Sequence, residues 1–253
     1  MIMRMVVGVF MILVAFFTNA GQAAAAEELL VSAAASLTDA FKEIGTIYEQ
    51  KHPGLTVRFN FAATGPLLQQ IEQGAPVDVF ASADQQSMDK AEKGGFVLPA
   101  SRSDFTGNGL VLITPADKTE VKGIADLQSA KVLKISIGNP ESVPVGRYVK
   151  AALEKQGVWE SLSPKMINGS SVKQVLEYVM RGEVEAGFVF ATDAAIAKDK
   201  VRFVAEIPTV KPVVYPVAVV AVSAKKEQAQ AFIDYLKSAD GQAVLVKFGF
   251  KQM

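Results

Sequence analysis

Residues 29–61 read LLVSAAASLTDAFKEIGTIYEQKHPGLTVRFNF, and this stretch decides the fold. An apolar run from Leu29 ends on three small residues, Ala33–Ala35. Leu37, Ala40, Phe41, Ile44, Ile47 and Tyr48 then recur at the spacing of one helix face, and His52-Pro53-Gly54 stops that helix. Beyond it Val57, Phe59 and Phe61 alternate onto one side, as in a strand. Strand, helix and strand in this order make a βαβ unit, which implies a mainly parallel sheet.

The alternation continues almost to the end of the chain. Leu67, Leu68 and Ile71 predict a short helix ended by Gly74–Pro76, followed by a strand at VDVFASA (77–83) and a polar helix through Met88 and Ala91. GLVLITP (109–115) and VLKISIG (132–138) read as strands, and AGFVFA (186–191) as a short buried one. Helical spacing returns at Tyr148–Leu153, at Val172–Val179 and at Ala229–Leu236, the last after the apolar run YPVAVVAV (215–222). Two Gly- or Pro-rich stretches, SRSDFTGNG (101–109) and PTVKPVVYP (208–216), look like chain crossings. They divide the chain into one lobe of 27–106 plus 216–253 and another of 107–215. In such α/β sheets ligands lie beyond the carboxyl ends of the strands, here in a cleft between lobes.

Composition narrows the function. Basic and acidic residues balance at 26 each, so nothing points to nucleic acid. There is no cysteine, which excludes disulfides, thiolate metal sites, cysteine nucleophiles and a lipid attached through an N-terminal Cys. Residues 1–26 have the anatomy of a cleaved signal peptide: Arg4, an apolar run from Met5 to Phe17, then a region rich in Ala-x-Ala sites. That run is shorter than the ~20 residues a spanning helix needs. Cleavage is expected between Ala23 and Glu27, which delivers the chain to the periplasm.

Four junctions that lead into helices share a chemistry. They are AAAS ending at Ser36, AATGP with Thr64 before Gly65-Pro66, SVPVG with Val145 after Pro144, and GSSV with Val172 after Ser170-Ser171. Each leaves backbone N–H groups unpaired at a positive helix end, where an oxyanion can accept them. Taken singly, Ser or Thr at such a place is most often an N-cap worth ~1 kcal/mol, and a valine is a first-turn core residue. The set of four, divided between two lobes, is what suggests a composite anion site.

Five segments sharpen this: AAASLTDAF (33–41), GAPVDVFASAD (74–84), NPESVPVGRYVKAAL (139–153), AGFVFATDAA (186–195) and YPVAVV (215–220). Together they resemble the periplasmic molybdate-binding proteins of ABC transporters, in family order from about Leu29 to Gly249. The resemblance implies the type II periplasmic binding-protein fold, two Rossmann-like α/β lobes joined by two crossover segments with the ligand cleft between them. It implies a monomeric receptor that carries molybdate or tungstate to a membrane permease, docks there in its closed form and needs no cofactor. Molybdenum is then held only as the oxyanion, through Ser36, Thr64, Val145 and Val172. Many relatives add a tyrosine hydroxyl where this chain has Phe190, and phenylalanine cannot donate a hydrogen bond.

Other residues carry less. His52 is the only histidine and reads as part of a helix-ending turn rather than a metal ligand or base. Trp159 reads as packing, Asp78 and Asp193 as turn or cap residues, and Arg147 as solvated near the cleft mouth. An enzyme is disfavoured, since no G-x-S-x-G elbow, phosphate loop or dinucleotide fingerprint occurs. A same-fold receptor for sulfate or phosphate is the alternative; a dicarboxylate receptor would be expected to carry an arginine clamp. A transcription regulator's effector domain is disfavoured by the leader.

Overall fold

The computed structural model describes residues 27–253, so the expected signal peptide at 1–26 lies outside the described residues. The opening stretch folds as β1 (Glu27–Ala34), one 3-10 turn at Ala35–Leu37, α1 (Thr38–Lys51) and β2 (Leu55–Ala62). β1 and β2 pair in parallel from Glu27 opposite Leu55 to Ala34 opposite Ala62. α1 forms because Ala40, Phe41, Ile44 and Tyr48 share a face that is buried. Its Phe41 ring sits 6.0 Å from Phe59 of β2, which anchors the helix to the sheet.

The first lobe continues through α2 (Thr64–Glu72), β3 (Val79–Ala81), α3 (Gln85–Lys93) and β4 (Ser103–Asn108). The second holds β5 (Leu110–Pro115), β6 (Ile135–Gly138), α4 (Pro144–Lys155), α5 (Trp159–Leu162), β7 (Met166–Gly169), α6 (Val172–Met180), β8 (Ala186–Phe190), α7 (Ala191–Ile196) and β9 (Val201–Glu206). The chain returns through β10 (Val213–Val219) and ends on α8 (Lys226–Lys237) and α9 (Ala239–Lys247). Each lobe has a five-stranded mixed sheet, ordered β2-β1-β3-β10-β4 and β7-β6-β8-β5-β9. One apolar core runs through both lobes, and a smaller one around Leu67, Ile71, Phe80 and Met88 lies under α2 and α3.

The two crossing stretches are partly strand: 103–108 form β4 and 213–216 begin β10, which pair antiparallel, Val213 opposite Asn108 and Tyr215 opposite Thr106, while 208–212 are irregular. The boundaries placed at 106/107 and 215/216 therefore fall inside strands. Pro216, which has no N–H to give, is tolerated at a register shift between Tyr215 and Pro216. β7 and β9 had no sequence signal strong enough to be read: MING is short and ends in glycine, and β9 has partly exposed positions on both faces.

Candidate functional site

The carboxyl ends of β1, β2 and β3 face those of β6, β7 and β8 across the gap between lobes. A small cavity of about 10 Å³ remains there. From the first lobe it is lined by Ala34, Ala35, Ser36, Ala63, Thr64 and Ala83. From the second come Val143, Pro144, Val145, Val172 and Phe190. All five positions singled out in the sequence thus line one enclosure. A larger groove of about 750 Å³ lies beside Asp84, Ser87 and Arg147, whose polar atoms already pair with each other.

Most of the wall is apolar, but four of the lining residues stand at the entries of helices. Ser36 belongs to the helical turn before α1, Thr64 opens α2, Val145 is the second residue of α4 after Pro144, and Val172 opens α6. The first N–H groups of each helix have no partner within it and sit at its positive end. The Thr64 hydroxyl oxygen accepts from Ala83 N–H at 3.2 Å, so its own proton is left for the cavity. Ser171, the N-cap of α6, spends its hydroxyl on Gln174 N–H at 3.2 Å and does not line the enclosure. The alanines keep the backbone approachable. α4 begins as close as it does because residue 146 is glycine: a Cβ there would lie 1.9 Å from the Gly138 carbonyl oxygen. Phe190 is buried, with ring centroids 5.9 Å from Tyr215 and 6.3 Å from Tyr148, both edge-on.

Among the described residues no cationic side chain lines the cavity; the nearby ones are paired across the lobes. Arg147, expected in solvent, instead donates from Nε to Asp84 at 2.6 Å and from Nη2 to Ser87 at 2.9 Å, tying α4 to the N-terminus of α3. Both Arg147 and Asp84 are largely buried, at 15% and 6% side-chain exposure. Lys173 of α6 reaches Asp39 of α1 at 2.9 Å. It also lies 3.4 Å from Asp193, which is fully buried in the first turn of α7. Burial pushes the Asp193 carboxyl up to about 6, against the pull of Lys173. Gly65 N–H donates to the Ser142 carbonyl at 3.0 Å, a further bond between lobes.

The residues set aside in the sequence fall elsewhere. His52 caps α1, with Nδ1 2.8 Å from the Tyr48 carbonyl. Asp78 accepts from Leu30 N–H and the Ser223 hydroxyl, which makes it a brace between β1 and the segment after β10. Trp159 starts α5 with the Lys150 ammonium over its ring. Among the described residues no group of three His, Cys, Asp or Glu side chains is placed to hold a metal ion. Sequence reasoning passed over Tyr215 and Asn108, whose polar atoms back the Ser36 hydroxyl.

A set of neutral donors around a gap between two α/β lobes is a solute site, and comparison with known proteins agrees. The bacterial extracellular solute-binding protein family matches residues 29–251. The chain belongs to that family. The molybdate-binding protein ModA of Escherichia coli K12 is 38% identical over 242 residues, covering 92% of this chain and 93% of that protein. The putative ABC transporter substrate-binding lipoprotein YvgL of Bacillus subtilis is 38% identical over 225 residues, covering 88% and 85%. The solved structure of the Azotobacter vinelandii periplasmic molybdate-binding protein superposes with a TM-score of 0.78 at 25% identity, over 89% of this chain and 99% of that one. The chain is a solute-binding protein rather than an enzyme. No helix among the described residues is long and apolar enough to cross a membrane.

Proposed function

We propose that this chain captures molybdate, and tungstate with it, in the enclosure between the lobes and hands the oxyanion to an ABC permease. The observation that carries the reading is the convergence of Ser36, Thr64, Val145 and Val172 on one cavity that no cation lines among the described residues. Helix N-termini and two hydroxyls supply donors to the oxygens of a tetrahedral dianion, and the alanines keep the backbone approachable. A dianion held by dipoles is selected by size and shape, whereas a cationic clamp would hold many anions alike. Because the donors come from both lobes, only the closed form offers the full set. The ligand therefore shifts the population towards the form that the permease receives. The receptor works as a monomer in the periplasm, after removal of residues 1–26, and no cofactor takes part.

Thermal unfolding and calorimetry with molybdate, tungstate, sulfate, phosphate and chromate test this. Molybdate and tungstate are expected to bind and to stabilise, by about 2.7 kcal/mol at a hundred times the dissociation constant. Stabilisation by sulfate with none by molybdate overturns the reading in favour of a sulfate receptor.

A further inference from the structure

Behind Ser36 lies a buried chain of hydrogen bonds that has a direction. Asn108, at the end of β4, accepts on Oδ1 from Gly109 N–H at 2.9 Å and Thr192 N–H at 3.5 Å. Two backbone donors facing that atom make it the oxygen, so the other is the NH₂ group. Its protons go to Thr192 Oγ1 at 2.9 Å and to the Tyr215 oxygen at 3.2 Å. Tyr215 is fully buried, its oxygen already accepts, and its own proton still needs an acceptor. The neighbour that can take it is Ser36 Oγ, 2.8 Å away. An unpaired phenol proton in the core is disfavoured, so Tyr215 donates and Ser36 accepts. The Ser36 proton is then left for the cavity, as the Thr64 proton is by Ala83.

We propose that Tyr215, oriented by Asn108, is a positioning residue that holds the Ser36 hydroxyl as a donor to the bound oxyanion. This rests on the functional reading above. Burial keeps the phenol protonated, raising it well above its ordinary value, so the direction of the chain does not change near neutral pH. The device also sits on the two crossing strands, Asn108 on β4 and Tyr215 on β10. The orientation of a first-lobe hydroxyl is thereby set from the hinge.

The test is a double-mutant cycle read by calorimetry with molybdate. Tyr215→Phe keeps the ring and is expected to weaken binding about tenfold. In a Ser36→Ala background it is expected to change nothing further, while in a Thr64→Val background it costs the same tenfold. Asn108→Asp keeps an oxygen towards Gly109 and offers Tyr215 an acceptor. It should draw the phenol proton away from Ser36 and weaken binding by the same order, again only where Ser36 is present. Unchanged affinity in Tyr215→Phe, or an equal loss with and without Ser36, overturns the proposal alone. A wild-type protein that binds none of the oxyanions overturns the functional reading and this proposal with it.

Discussion

Replacing Gly65 by alanine should make the protein more stable and a worse binder at once. Gly65 lies in the first turn of α2, where alanine is the better helix former by about 0.5–1 kcal/mol. In the closed arrangement, however, a Cβ at residue 65 would sit 2.5 Å from the Ser142 carbonyl oxygen and 3.0 Å from its Cα, both backbone atoms of the other lobe. The segment must retreat, at the ~1–3 kcal/mol typical of overpacking. It also loses the 3.0 Å Gly65 N–H bond to Ser142, about 1 kcal/mol more. The total of about 2–4 kcal/mol falls on the closed form only, because the contact does not exist with the lobes apart. Apparent affinity falls with the closed fraction, by roughly thirtyfold to several hundredfold. Molybdate calorimetry and denaturant unfolding of the ligand-free protein read the two effects separately. Unchanged affinity in a normally folded variant would refute the reasoning, as would a ligand-free protein destabilised in step with its binding loss.

Other changes probe other parts of the site. Phe190→Tyr restores a hydroxyl to the cavity wall and is expected to tighten molybdate binding by about ten- to a hundredfold in calorimetry; no change would mean that the hydroxyl does not reach the ligand. Arg147→Met leaves Asp84 without its partner when the lobes close, and should weaken binding about ten- to thirtyfold. Neutralising the exposed Lys247–Glu43 pair within the first lobe should leave affinity unchanged. Asp193 holds its proton more tightly folded than unfolded. Its contribution to stability is therefore full below its ordinary 3.8 and is lost as pH rises through about 6. Denaturant unfolding of the ligand-free protein between pH 4 and 7 should show this fall, on the order of 1–3 kcal/mol, and Asp193→Asn should flatten it.

What the sequence made legible is what depends on near neighbours. Helical spacing in α1, small residues at the end of β1 and a proline at the start of α4 are local signals, and they marked the positions that surround the cavity. What it hid depends on partners far along the chain. SDFTGN has no strand pattern of its own and becomes β4 by pairing with β10, more than a hundred residues later. Arg147 looks like any helix-surface arginine until folding brings Asp84 to it. Tyr215 reads as the first aromatic of an apolar run, and nothing local shows that its hydroxyl meets Ser36, 179 residues away. Asp193 likewise looks like a capping residue, and only the packing of α6 and α7 buries it beside Lys173.

The pairing of the two crossing strands has a mechanical consequence. Single connections between lobes would let them swing, twist and slide. Here β4, which leads into the second lobe, and β10, which leads out of it, lie side by side and are cross-linked by their ladder, and Gly107 is bonded in turn to Lys251 near the chain's end. Such a ribbon is a flexure: it bends easily across its width, while the hydrogen bonds resist shear along it. The lobes can then part and meet along essentially one path. Repeatability of that path lets two half-sets of donors, each useless alone, return to the same hydrogen-bonding register at every closure.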